Sequence, residues 1–201
     1  FDVFTQPTTL TIDLSKGKRN APLKKLLPHL TSLTSLAISW GEPGCEYIEG
    51  PDQASNVLTN WLSVFGTAQL KQLLHFTLRI SSFEMNARDL SKWLKQLPNL
   101  QSLMLLNLDA GLCTFDMHQV EIPMLPDLRQ LYIRLAATPL VQIVLPALPS
   151  LTRLSVNCRQ IPRTAPWLPN LAGMTSLKSL TWTGHQDELV EVSHFLNPKL
   201  E

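Results

Sequence analysis

An excess of either charge is missing from this sequence. Lysine and arginine together number 17 and aspartate and glutamate 16, which leaves a net charge of +1. Dedicated nucleic-acid-binding domains usually carry a strongly basic surface, so we expect no nucleic-acid partner. Long apolar runs are missing as well, since none approaches the roughly 20 residues that a membrane-spanning helix needs. We therefore expect no membrane association.

Cysteine is scarce, and its spacing is wide. The three cysteines are Cys45, Cys113 and Cys158, an odd number that indicates no disulfide framework. No asparagine has a Ser or Thr two places later, as an N-glycosylation site would require. Both features fit a reducing compartment, so we expect a cytoplasmic or otherwise intracellular protein.

Glycine is also rare, with 8 residues, and neither of the common Gly-rich phosphate-binding motifs occurs. The Gly-x-Ser-x-Gly motif of hydrolases is missing too. The nearest approach to a metal-ligand pair is Cys113 with His118, and no second pair accompanies it. We therefore expect no enzymatic activity, no cofactor, no metal ion and no small-molecule ligand.

What the chain does contain is a repeated apolar phrase. It consists of Leu, two residues, Leu, two residues, Leu, one residue and a further apolar residue, as in Leu97, Leu100, Leu103 and Leu105. Internal repeats decide the architecture before other signals do. The phrase occurs seven times, with copies that begin at Phe4, Leu30, Leu70, Leu97, Leu125, Leu148 and Met174.

The third apolar position of each copy marks the length of the repeat. Successive steps are 26, 40, 27, 28, 23 and 26 residues. Within each copy the last two apolar residues are two apart, which is the period of a β-strand. These spacings therefore predict one strand per repeat. The step of 40 residues, here called the long step, contains an insertion at about residues 41–69.

The phrase and its spacing resemble the leucine-rich-repeat family over nearly the whole chain. The resemblance implies an α/β solenoid of about seven repeats. Parallel strands would line its concave face, and helices and extended segments its convex face. The irregular copies are similar to intracellular arms of nucleotide-binding immune receptors and of F-box proteins, the adaptors of ubiquitin ligases. We expect residues 1–201 to form a single domain, and, since the chain begins without Met, to be a fragment of a longer protein.

The segments between the copies predict several helices. Apolar residues recur there at helical spacing, over residues 21–27, 52–65, 86–96 and 186–196. The connections after Leu105 and Ile133 are predicted to be more extended. In the second of these, three prolines between residues 139 and 149 disfavour a helix.

Outward strand positions can be assigned from the phrase, because they lie just before, between and just after its last two apolar residues. At the two ends of the array these positions are small and hydroxylated. In the middle they combine apolar side chains with the Tyr and Arg that are enriched at interaction hot spots. The candidate partner-binding residues on the strands are His75, Arg79, Met104, Leu106, Tyr132, Arg134 and Arg153.

The insertion supplies one further candidate, Tyr47. It lies in an acidic segment rich in Gly and Pro, at residues 41–52, with Ile48 beside it and Glu46 and Glu49 on either side. Long loops in compact domains often carry function. The alternative is a tolerated surface loop that leads into the helix predicted at 52–65.

These observations favour a protein-recognition module that binds a protein partner on its concave strand face. Such a module would serve as the sensing or substrate-selecting arm of a larger protein. Two alternatives stay open: a catalytic α/β domain whose parallel strands imitate repeats, and a purely structural scaffold. Steps of 23 to 28 residues leave little room for the long helices of a catalytic α/β domain.

Overall fold

A computed structural model describes residues 7–13, 29–40, 64–80, 87–108, 119–135, 142–157, 171 and 173–183. Two short helices lie in these ranges: α1 (Thr67–Gln72) and α2 (Ala87–Leu94). The strands are β1 (Thr9–Asp13), β2 (Ser35–Trp40), β3 (His75–Ile80), β4 (Ser102–Leu108), β5 (Gln119–Glu121), β6 (Gln130–Leu135), β7 (Gln142–Val144), β8 (Arg153–Asn157) and β9 (Ser179–Thr183).

Seven of the strands form one parallel sheet in the order β1-β2-β3-β4-β6-β8-β9. Each predicted copy of the phrase supplies one of these strands, and successive copies lie side by side. The described residues therefore form a β-solenoid with few helices, and the prediction of a repeat architecture is confirmed. The sheet contains no reversal of strand order in the part of the chain that is described.

The first two leucines of the phrase form a tight turn. In five copies the N–H of the second apolar residue donates to the carbonyl of the first. Three of these bonds, at 3.1 to 3.2 Å, are Leu100 to Leu97, Leu128 to Leu125, and Leu151 to Leu148. Proline follows the first leucine in each of these three copies. It fixes the backbone angle that the second position of such a turn needs, and so prepares the chain to start the next strand.

The carbonyl just before each strand joins one repeat to the next. The Gln101 oxygen accepts hydrogen bonds from the N–H groups of Arg129 and Gln130, at 2.8 and 3.0 Å. Five further carbonyls also accept two N–H groups each from the following repeat, namely those of Thr8, Thr34, Leu74, Arg129 and Thr152. The six pairs of neighbouring strands are therefore joined at equivalent positions, and the strands begin in register.

Behind the sheet lies a layer made from the connections. Strands β5 and β7 pair in parallel, with Val120 opposite Ile143, and α2 packs against β5. Trp93 of α2 contacts Phe76 of β3, with ring centroids 4.4 Å apart. The inward leucines of the sheet and the buried residues of this layer belong to one continuous core. Leu10 and Leu180, in the terminal strands, are only partly buried.

The predicted connections agree with the structure in part. The helix predicted at 86–96 is confirmed as α2, and the extended connections after Leu105 and Ile133 are confirmed as β5 and β7. The helices predicted at 21–27 and 186–196 lie outside the described residues, as does the one at 52–65 except for Val64 and Phe65, which are not helical. The sequence did not predict α1, whose Leu70 opens the third copy of the phrase.

One buried polar side chain bonds the third repeat to the second. Gln69 of α1 is 5% exposed. Its side-chain oxygen accepts a hydrogen bond from the N–H of Gly66, at 3.0 Å, and its Nε2 donates to the carbonyl of Leu30, at 3.2 Å. The first contact caps α1, and the second satisfies a carbonyl of the neighbouring repeat.

Substitutions at adjacent positions of β4 test the two sides of the sheet. Leu105 is 0% exposed and Met104 is 36% exposed. We expect Leu105→Ala to lower the free energy of unfolding by about 2–5 kcal/mol through lost burial and a cavity. Met104→Ala should lower it by less than about 1 kcal/mol, as an exposed substitution does. Urea denaturation measures both, and equal losses would contradict the assigned orientation of β4.

Gln69→Met tests the bond between the second and third repeats. Methionine has a similar shape but cannot replace either hydrogen bond, so the Leu30 carbonyl and the Gly66 N–H lose their partner. We expect the free energy of unfolding to fall by about 1–3 kcal/mol. Gln72→Met, on an exposed position of the same helix, is the matched control. Identical thermal melts for the two variants would show that the Gln69 contacts contribute nothing.

Candidate functional site

The outward side of the seven-stranded sheet, here called the strand face, is organised in three rows that cross the strands. Parallel register places equivalent positions of each strand next to one another. The rows are Thr9, Ser35, His75, Ser102, Gln130, Arg153 and Ser179; then Thr11, Ala37, Thr77, Met104, Tyr132, Ser155 and Thr181; then Asp13, Ser39, Arg79, Leu106, Arg134, Asn157 and Thr183. Neighbouring members of a row are about 4.8 Å apart across the sheet.

All seven strand residues predicted from the phrase lie on β3, β4, β6 and β8, the middle of this face. His75, Arg79, Arg134 and Arg153 are exposed, and Met104 is one of two large apolar side chains that are exposed in the described ranges. The sequence predicted Leu106 to be exposed, and in the structure it is partly buried, as is Tyr132. Tyr47 lies outside the described residues, as do the three cysteines and residues 41–63 of the insertion.

The register brings the apolar candidates together. Met104 of β4 lies opposite Tyr132 of β6, and Leu106 lies two residues beyond Met104 on the same strand. Alternation along a strand directs Met104 and Leu106 to the same side of the sheet. These three side chains, here called the apolar patch, therefore occupy adjacent positions of the second and third rows.

Arginines surround the apolar patch. Arg79 on β3 and Arg134 on β6 are the immediate neighbours of Leu106 in the third row. Arg153 on β8 lies opposite Gln130, in the first row and diagonal to Tyr132. No Asp or Glu occupies an outward position of β3, β4, β6 or β8, and within the seven-stranded sheet the acidic outward residue is Asp13, on β1.

The resulting surface is therefore cationic and partly apolar, although the chain as a whole is almost neutral, with a net charge of +1. A field of one sign over a surface of this size steers partners of opposite charge and sets their orientation. An acidic group brought to the third row could take up hydrogen bonds from a guanidinium on either side of Leu106. The arrangement can therefore bind a ligand that presents an apolar group between two acids.

In the described ranges no group of three or more His, Cys, Asp or Glu side chains could hold a metal ion. His75 lies in the first row between Ser35 and Ser102, with no carboxylate beside it in that row. Neither of the described helices is long and apolar enough to cross a lipid bilayer.

A second exposed apolar residue, Met124, was not among the predicted candidates. It is 57% exposed and lies next to Leu125, at the turn that leads into β6. The same position of the next two copies holds Ala147 and Gly173, which approach so closely that a Cβ on Gly173 would come within 2.9 Å of the Ala147 Cβ. The candidates were taken from strand positions alone, and for this reason Met124 was missed. The sequence feature that could have identified it is its position just before a Leu-Pro turn.

Comparison of the chain with protein-family models, with curated proteins and with solved structures found no match. The assignment of a function therefore depends on the strand face itself.

Proposed function

We propose that this chain is a protein-recognition module that binds its partner on the middle of the strand face. The observation that carries the proposal is the cluster of Met104, Leu106 and Tyr132 between arginines, at outward positions of strands without an acidic residue. Interfaces between proteins combine an apolar centre with a polar rim, and their hot spots are enriched in Tyr and Arg. The cluster has this composition.

The leucine-rich-repeat resemblance extends this proposal. We infer that the solenoid is of that α/β type and that the strand face is its concave side, where such repeats usually bind proteins. In this proposal the chain is the sensing or substrate-selecting arm of a larger intracellular protein, as in immune receptors and ubiquitin-ligase adaptors. The uninterrupted order of the described strands favours this over a catalytic α/β domain, whose site forms where the strand order reverses.

Affinity capture with a triple variant tests the proposal. The variant combines Arg79→Glu, Tyr132→Ala and Arg134→Glu, which removes the aromatic contact and reverses two charges of the third row. Proteins captured from cell extract are identified by mass spectrometry, and their affinity is then measured with purified components. We expect the triple variant to bind the partner at least about tenfold more weakly than the parent, since hot-spot truncations cost about 2 kcal/mol or more.

The matched control is Lys71→Glu with Lys95→Glu. Both lysines are exposed and lie outside the three rows, and the pair changes the net charge by the same amount. The control should bind like the parent, and all three proteins should have the same circular dichroism and melting temperature. A partner that binds the triple variant as strongly as the parent would place the binding site elsewhere.

A further inference from the structure

The third row has a spacing that selects among the shapes a bound segment can take. Arg79, Leu106 and Arg134 are consecutive members of this row, on β3, β4 and β6. With about 4.8 Å between neighbouring strands, the backbones of the two arginines are about 9.6 Å apart, and Leu106 lies midway. A ligand that contacts all three must present acid, apolar group and acid at a similar interval.

An α-helix laid across the strands meets this requirement. One helical turn rises about 5.4 Å, close to the strand spacing, and residues i and i+7 are about 10.5 Å apart on one face. Residues i+3 and i+4 then lie between them, above Leu106. An extended segment presents same-side residues about 6.8 Å apart. Successive same-side residues are therefore closer together than the two arginines, and the first and third of a series are farther apart.

We propose that the middle of the strand face accepts an amphipathic α-helix of a protein partner, lying across β3, β4 and β6. Its acidic residues, at i and i+7, bind Arg79 and Arg134, and its apolar residues, at i+3 and i+4, pack on the apolar patch. This inference rests on the proposed function and adds the chemistry and the direction of the bound segment. The occupant is fixed by charge complementarity, because no outward position of these strands carries an acid.

The two parts of this surface contribute differently to binding. Arg79 and Arg134 are exposed, so their attraction for acids is screened by salt and acts mainly on association and alignment. The apolar patch excludes water when the helix covers it, and this burial supplies affinity that depends little on salt. Binding should therefore weaken as ionic strength rises, without disappearing.

Designed peptides test the helix directly. A fluorescent peptide of about 18 helix-favouring residues carries Glu at i and i+7 and Leu at i+3 and i+4. A second peptide of equal composition moves the two leucines to i+2 and i+5, on the opposite side of the helix. A third places a proline between the leucines and the second Glu, which interrupts the helix. Fluorescence anisotropy should show the first peptide binding at least tenfold more tightly than the other two.

Charge exchange identifies the arginines. The variant Arg79→Glu with Arg134→Glu should bind the first peptide at least tenfold more weakly. A peptide with Lys in place of both Glu residues should bind this variant about as tightly as the first peptide binds the parent. It should bind the parent weakly. Lys71→Glu with Lys95→Glu is the control of equal charge and should bind the first peptide as the parent does.

Several results would overturn the inference. These are no binding of any peptide, equal binding of the three acidic peptides, or an equal loss in the control variant. Tighter binding of an oligothymidine, lost in the Arg79→Glu, Arg134→Glu variant, would assign the face to single-stranded nucleic acid instead. A dimer detected by sedimentation analysis of the parent, and not formed by the same variant, would assign the face to a second copy of the chain.

Failure of this inference is distinguishable from failure of the proposed function. A captured partner that is lost in the triple variant, together with peptides that do not bind, would leave the strand face as a protein-binding surface and reject only the acidic helix. A partner unaffected by the triple variant, together with peptides that do not bind, would reject both.

Discussion

Burial of the inward leucines sets the phase of every strand in the sheet. Along each strand the residues alternate between core and solvent, and a slip of one residue would expose the whole apolar set. In β4, Leu103 and Leu105 are buried and therefore Met104 and Leu106 must occupy outward positions. The carbonyls that accept two N–H groups keep neighbouring strands in register. The rows of the strand face are thus a consequence of the core.

The middle of the face differs from its ends in chemistry and not in backbone. Thr11 and Thr181 occupy the same row as Met104 and Tyr132, in strands of the same direction and register. Outward side chains contribute little to the core, so they can vary without cost to folding. The chemistry of the strand face can therefore change from strand to strand while the backbone stays the same.

The sequence predicted much of this arrangement because the phrase repeats with strand period. The seven strands of the sheet and the outward positions of the candidates follow from apolar spacing, and the extended connection at β7 follows from its prolines. Helix α1 was missed, because its stability involves the contacts of Gln69 with Gly66 and with Leu30 of another repeat, which no local pattern reveals. The partial burial of Leu106 was also missed, since the phrase distinguishes only inward from outward positions.

The long step of the array has a consequence for how this molecule tolerates change. Ser35 and His75 are 40 residues apart in sequence and still occupy adjacent strands in unbroken register, just as Gln130 and Arg153 do across a step of 23. The number of residues between one strand and the next therefore varies, while the pairing of the strands does not. Segments can be lengthened, shortened or exchanged in these connections while the geometry of the strand face stays constant.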